Sequence, residues 1–112
     1  MNSTFRLKKN EDFQHVISLK KRSGNQAFTL YLSQNKLSHA RVGISTSKKL
    51  GNAVVRNRIR RQVRSMIQHV LVMDQSIDLV IIVKNNYLTQ AFELNQQQLI
   101  ALIRSLGGSL IS

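Results

Sequence analysis

The sequence predicts a single α/β sandwich, and three observations predict it. Two stretches, Ala27 to Ser33 and Ala40 to Ser45, alternate apolar and polar residues, while Asp78 to Val83 is a continuous apolar, β-branched run. Three other stretches repeat apolar residues at helical spacing. Set in chain order over 112 residues, these give α, β, β, α, β, α around one modest core, with too little chain for a second.

The first helix starts at Asn10, a residue type suited to an N-cap, and runs to about Leu19. Glu11 and Asp12 face the positive end of its dipole, and Phe13, Val16 and Ile17 share one side. Lys20 to Asn25 reads as a basic loop, with room for a short strand near Arg22. In the first alternating run Phe28, Leu30 and Leu32 point one way and Thr29, Tyr31 and Ser33 the other, so one sheet face is core and the other is available. A turn over Asn35 to His39 leads to the second run, Ala40, Val42 and Ile44 alternating with Arg41, Gly43 and Ser45, which is expected to pair with the first as a hairpin. The basic helix follows, opened by a Gly51-Asn52 turn and cap. Asp78 to Val83 has the pattern of a strand covered on both faces. Glu93 to Leu106 forms the last helix, with Leu99, Leu102, Ile103 and Leu106 inward and Gly107-Gly108 as its stop.

Charge narrows the partner. Seventeen Lys and Arg against five Asp and Glu give a net charge of +12, and self-repulsion of that size is relieved by a phosphate-rich ligand. A hydrophobic fraction of 42% marks a packed domain and not a disordered basic tail. Without cysteine there is no disulfide, thiolate nucleophile or cysteine zinc site, and His15, His39 and His69 lack ligand spacing. Met1 to Lys9 contains no apolar signal region, and the longest apolar run, Leu79 to Val83, is far too short to span a bilayer. The expectation is a cytoplasmic protein with no membrane partner.

The basic helix carries the chemistry. Advancing about 100° per residue from Arg56, the apolar Val55, Ile59, Val63, Met66 and Val70 fall between about 260° and 340°. Arg56, Asn57, Arg60, Arg61 and Arg64 fall between about 0° and 140°, so the two faces are separate. Arginines at i, i+4 and i+8 sit roughly 6 Å apart along the axis, close to the phosphate repeat of a nucleic-acid strand. Arg in preference to Lys suits bidentate phosphate contacts and stacking. Asn57 can donate to a phosphate or read a base edge, and the helix start beside Lys48 and Lys49 offers free amides to another phosphate. The bland alternative is a solvated charged face. Like charges one helical turn apart cost roughly 0.2–0.5 kcal/mol per pair unless neutralised, which favours nucleic acid as the partner.

The stretch Lys48-Lys49-Leu50-Gly51-Asn52-Ala53-Val54-Val55-Arg56-Asn57-Arg58-Ile59-Arg60-Arg61 resembles the Arg-Asn-Arg motif, with its lead-in, of the bacterial ribonuclease P protein family. Leu7-Lys8-Lys9-Asn10-Glu11-Asp12-Phe13 matches the same family in register, and the order of elements agrees over nearly the whole chain. The resemblance implies one domain over residues 1–112, with a fold like domain two of ribosomal protein S5: a mixed sheet and a left-handed βαβ crossover through the basic helix. General connection rules favour the opposite hand. It further implies the protein subunit of an endoribonuclease that removes the 5′ leader of precursor tRNA, with catalysis by the RNA subunit and Mg²⁺ held mainly by that RNA.

Carried over by motif, the contact with the catalytic RNA falls on Lys48, Lys49, Asn52, Arg56, Asn57, Arg58, Arg60, Arg61 and Arg64. The leader falls in a cleft of Phe13, Ile17 and Tyr31 with Lys84 at its rim. Aromatic stacking inside a basic groove is the usual way of holding single-stranded RNA, and Tyr31 lies on the available sheet face. Phe13 and Ile17 read equally well as plain core contacts of a small helix. Two departures from the family pattern stand out: Ile17 where relatives often carry a second aromatic, and an uncharged tail from Gly107 to Ser112.

No protein-borne nuclease is legible. Neither His15 nor His39 has an acidic or nucleophilic partner in the sequence, Glu11 and Asp12 serve a helix start, and Asp74, Asp78 and Glu93 are scattered. Two rival classes remain: a ribosomal-type module that binds structured RNA with no enzyme role, and a helix-turn-helix DNA binder. The latter needs a short helix before the basic one, where Arg41 to Ser47 reads as a strand, so DNA is not expected as a partner.

Overall fold

The computed structural model describes residues 3–19 and 21–111, so Lys20 of the basic loop and Ser112 of the tail lie outside it. Three helices, α1 (Asn10–Ser18), α2 (Ala53–Ile67) and α3 (Phe92–Leu106), pack on four strands, β1 (Arg22–Gly24), β2 (Phe28–Gln34), β3 (Arg41–Thr46) and β4 (Ile77–Val83). Short 3-10 turns occupy Lys48–Leu50 and Asn85–Thr89. The sheet is mixed, with strand order β1-β2-β4-β3. β2 is antiparallel to both β1 and β4, while β3 runs parallel to β4.

That order overturns the expected hairpin between the two alternating strands, because β4 lies between them. Of the seven residues of β4, six are buried and Ile82 is half-buried. A strand apolar on both faces gains most in the middle of the sheet, where neighbours cover its edges and helices its faces. The segment joining β2 to β3 therefore crosses the end of β4 instead of turning tightly. Asn35 N–H donates to the Ser76 carbonyl at 3.0 Å and Ala40 N–H to the Met73 carbonyl at 2.9 Å. The Asn35 side chain reinforces the crossing by donating to the carbonyls of His39 and Ile77 and to Asp78 Oδ1.

The pleat sorts the two faces. Phe28, Leu30 and Leu32 of β2, Val42 of β3 and Leu79, Ile81 and Val83 of β4 form the main core with Ile59, Val63, Met66 and Ile67 of α2 and Leu99, Leu102 and Ile103 of α3. Tyr87 belongs to this core, edge-on to Phe28 at 5.7 Å between ring centres. On the opposite face Leu7, Val16 and Val80 make a smaller cluster, with Phe13, Ile17, Tyr31 and Ile82 packed against it. α1 covers only part of that face. Its seat depends on Gly43, where an added Cβ would stand 2.4 Å from Phe13 Cζ and 3.1 Å from Leu7 Cβ.

Two capping expectations fare differently. Asn52 caps α2, its side-chain oxygen accepting from Val55 N–H at 3.0 Å, after Gly51 at a φ of 141° that favours glycine. Asn10 is not the cap of α1: it is the first helical residue, and Lys9 holds the extended cap position with no side-chain hydrogen bond. The dipole partners Glu11 and Asp12 remain in the first turn. Val70, placed on the apolar arc of the basic helix, lies beyond its end at Ile67, and Ile67 itself is buried.

Two consequences are measurable. Gly43→Ala should displace the Phe13 ring and cost ~1–3 kcal/mol in urea unfolding, with part of the loss recovered when Phe13→Leu is added. Burial, opposed weakly by Arg58, pushes the Tyr87 phenol up from its ordinary 10.0 to about 12. The unfolded chain therefore releases this proton first: the stabilisation is whole below pH 10 and lost as pH rises towards 12. Tyr87→Phe should flatten that alkaline fall in unfolding experiments.

Candidate nucleic-acid interface

α2 returns along β3, the edge strand, and its arginines decorate that edge. Arg60 donates to Thr46 Oγ1 at the end of β3 and to Asn57 Oδ1 within its own helix. Arg64, one turn on, is close enough to Arg6 and Arg60 for their charges, after burial, to hold its guanidinium below the usual arginine range. Arg6 comes from the amino-terminal segment, which bridges to Val42 on the outer edge of β3, with Leu7 N–H donating to the Val42 carbonyl at 2.9 Å. Arg56 is half-buried, and its Nε is buried without an acceptor.

Among the described residues the ion pairs are those of Arg41, to Asp12 at 3.5 Å and to Asp78 at 2.8 Å. The arginines of α2 therefore meet no carboxylate there. Half-buried guanidinium groups of like charge without a counter-charge form a surface suited to phosphate.

The predicted RNA-subunit set is brought together in part. Arg56, Asn57, Arg60 and Arg64 form the ridge, with Arg61 exposed on α2 and Lys48 and Lys49 exposed in the turn before it. Asn52 is exposed, but its carbonyl oxygen is committed to the helix cap. Arg58 leaves the ridge for the opposite flank, near Tyr87 and α3, because it stands about 200° around the helix from Arg56. Arg6 is the ridge member that sequence reasoning missed: it immediately precedes the amino-terminal motif that starts at Leu7, and nothing local says that this segment pairs with β3.

The second surface lies across the sheet. Phe13 and Ile17 of α1 pack beside Tyr31 and Ile82 of the sheet, all half-buried. They are thus core contacts that keep part of their surface open beside the sheet. Lys84 follows β4 and donates to the Asn25 carbonyl at 2.6 Å. With Arg22, Ser23, Gly24, Asn25 and Thr29 it lines a cavity of about 370 Å³ beside β1. Arg22 reaches the Tyr31 hydroxyl at 3.5 Å, so a cation stands beside the ring proposed for stacking.

The three histidines lie apart from one another. His15 is exposed, His39 packs edge-on to Phe5 at 5.3 Å, and His69 contacts Gln68. Among the described residues no three His, Asp or Glu side chains gather as metal ligands, and no helix is long and apolar enough to cross a membrane.

Comparison with known proteins identifies the family. A family model for Ribonuclease P matches residues 1–107. The Ribonuclease P protein component of Mesoplasma florum is 44% identical over 99 residues, covering 87% of this chain and 90% of the relative. That of Bacillus velezensis is 42% identical over 105 residues, covering 93% and 90%. The structure of the Staphylococcus aureus RNase P protein superposes with a TM-score of 0.81 at 32% identity, over 92% of this chain and 95% of that one. The Thermotoga maritima protein shares the fold, with a TM-score of 0.74 at 24% identity over 87% and 93%. A mixed sheet edged by an arginine ridge, matched along nearly its whole length, thus belongs to the ribonuclease P protein family, the protein components of an endoribonuclease ribonucleoprotein.

Proposed function

We propose that this chain holds the catalytic RNA of ribonuclease P with the α2 ridge and the 5′ leader of precursor tRNA with the groove between α1 and the sheet. The observation that carries the proposal is the ridge of Arg56, Arg60 and Arg64, which meets no carboxylate among the described residues. Phosphates supply the missing counter-charge, and Asn57, held by Arg60, offers its amide hydrogens to a phosphate or base edge. The RNA-subunit contact comprises Lys48, Lys49, Asn52, Arg56, Asn57, Arg60, Arg61 and Arg64, with Arg58 serving the other side of the helix.

In the groove Tyr31 stacks on a leader base, Phe13 and Ile17 form the apolar wall, and Lys84 and Arg22 hold the backbone. Hydrolysis of the phosphodiester bond is assigned to the RNA with its Mg²⁺. The protein's part is to fix the leader and to lower the repulsion between two polyanions, so less Mg²⁺ is needed. A cytoplasmic location, a likeness to domain two of ribosomal protein S5 and a left-handed β3-α2-β4 crossover belong to the same proposal.

Adding the protein to cognate RNA at low Mg²⁺ should stimulate precursor tRNA cleavage, and absence of stimulation would sink the assignment. Arg60→Ala combined with Arg64→Ala should weaken assembly with the RNA and flatten its salt dependence by up to about two counterions.

Tyr31→Ala should leave assembly intact and weaken binding of leader-bearing substrate by roughly 1–3 kcal/mol. Leaderless tRNA provides the control. Impaired assembly with unchanged discrimination between the two substrates would show that the groove has been misassigned.

A further inference from the structure

The pleat puts Arg22 and Thr29 on the same side of the sheet as Tyr31, and with Gly24 and Lys84 they line the cavity of about 370 Å³ beside β1. We propose that this cavity seats one phosphate group, gripped by Lys84 and the Thr29 hydroxyl across the space that Gly24 leaves open. As a backbone contact of the leader strand, the seat rests on the leader-binding function above.

Glycine makes the space. Gly24 faces Thr29 across two antiparallel strands, and its backbone does not call for glycine, since among the described residues Gly51 is the glycine with a positive φ. A Cβ added to Gly24 would stand 3.5 Å from Thr29 Oγ1 and 3.7 Å from Lys84 Nζ, so a hydroxyl and an ammonium face one small gap. The Phe28 carbonyl, 3.6 Å from the same point, already accepts from Asn25 N–H at 2.9 Å. Thr29 Oγ1 has no hydrogen-bond partner among the described residues and is free for a ligand. Gly24, Arg22 and Lys84 are exposed and Thr29 is half-buried, so the gap opens to solvent.

The cation is held in place. Lys84 Nζ donates to the Asn25 carbonyl at 2.6 Å and keeps two hydrogens for a ligand. Asn25 is itself fixed: its Oδ1 accepts from Ala27 and Phe28 N–H at 3.1 and 3.0 Å, and its Nδ2 donates to the Gln98 carbonyl at 3.0 Å. A donor tethered to such a turn loses less freedom on binding than a free lysine does. Arg22 adds a guanidinium at the rim, and none of the five acids of the chain lines the cavity. Two cations and a free hydroxyl without a carboxylate suit a tetrahedral oxyanion, which has oxygens enough for all three donors.

The test is a titration of the isotope-labelled full chain with inorganic phosphate at constant ionic strength, followed by NMR, with acetate as the control anion. Saturable shifts at the Gly24 and Thr29 amides are expected with phosphate, and binding about tenfold weaker with acetate. Gly24→Ala keeps both cations and introduces only ordinary van der Waals contacts, so the chain folds. By occupying the seat it should weaken phosphate about tenfold. Thr29→Val, which removes the hydroxyl, should weaken it by about the same factor. Shifts that do not saturate, that are equal for acetate, or that survive both substitutions would overturn the proposal and leave a solvated cationic rim.

The holoenzyme identifies the source of the phosphate. If the leader supplies it, Gly24→Ala narrows the difference in affinity between leader-bearing and leaderless substrate. An unchanged difference beside weakened inorganic phosphate would overturn the leader as the source and assign the seat to free phosphate. The titration requires no RNA, and Tyr31→Ala tests leader binding without altering Gly24, Thr29 or Lys84, so failure of one reading is distinguishable from failure of the other.

Discussion

Burial of β4 on both faces is the constraint from which the other features follow. A run of seven residues with almost no polar side needs strands on both edges and helices on both faces. Its insertion between β2 and β3 makes β3 an edge strand and leaves its connection to β4 as a parallel crossover through α2. The crossover helix must cover the main core with one side, so its arginines are left on the other, along the β3 edge. The amino-terminal segment then closes the outer side of β3 and brings Arg6 to Arg64. The proposed RNA ridge is thus a by-product of where the most apolar strand must go.

The other face depends on Arg41. Its guanidinium spans Asp78 in the central strand and Asp12 in α1, and the hydrogen bond with Asp78 is the largest of the effects that raise its pKa. Asp78 is buried, so this bidentate pairing offsets a desolvation cost that would otherwise fall on a lone carboxylate. The link to Asp12 is more exposed and correspondingly weaker. Together with Gly43, which admits the Phe13 ring, it sets the distance between α1 and the sheet and so the width of the proposed leader groove. Two of the five acids in a chain of charge +12 are spent on this seam.

Much of the fold was legible in local pattern. Both alternating strands, the doubly buried strand and all three helices occur where their periodicity placed them, because each pattern reports directly which side of an element meets the core. Asn52 was legible as a cap since capping needs only its own turn. Pairing was not legible: the short segment after β2 looked like a hairpin turn, and nothing between Asn35 and His39 says that it crosses the end of β4. The same limit affected the site. Arg56, Arg60 and Arg64 share a face by helical arithmetic alone, whereas the approach of Arg6 to Arg64 depends on a strand-edge contact between Arg6 and Val42, residues far apart in the sequence.

By itself, then, the sequence determined the elements, the separation of apolar from cationic sides on α2, the availability of the Tyr31 face and the family resemblance, since all of these reside in residues near one another along the chain. Only the tertiary structure decided the strand order, the packing of Phe13 and Ile17 beside Tyr31 and Ile82, and the departure of Arg58 from the ridge. The physical reason is that long-range pairing is chosen by competition among faces for burial. That competition is settled by the whole chain and leaves no mark on any single segment.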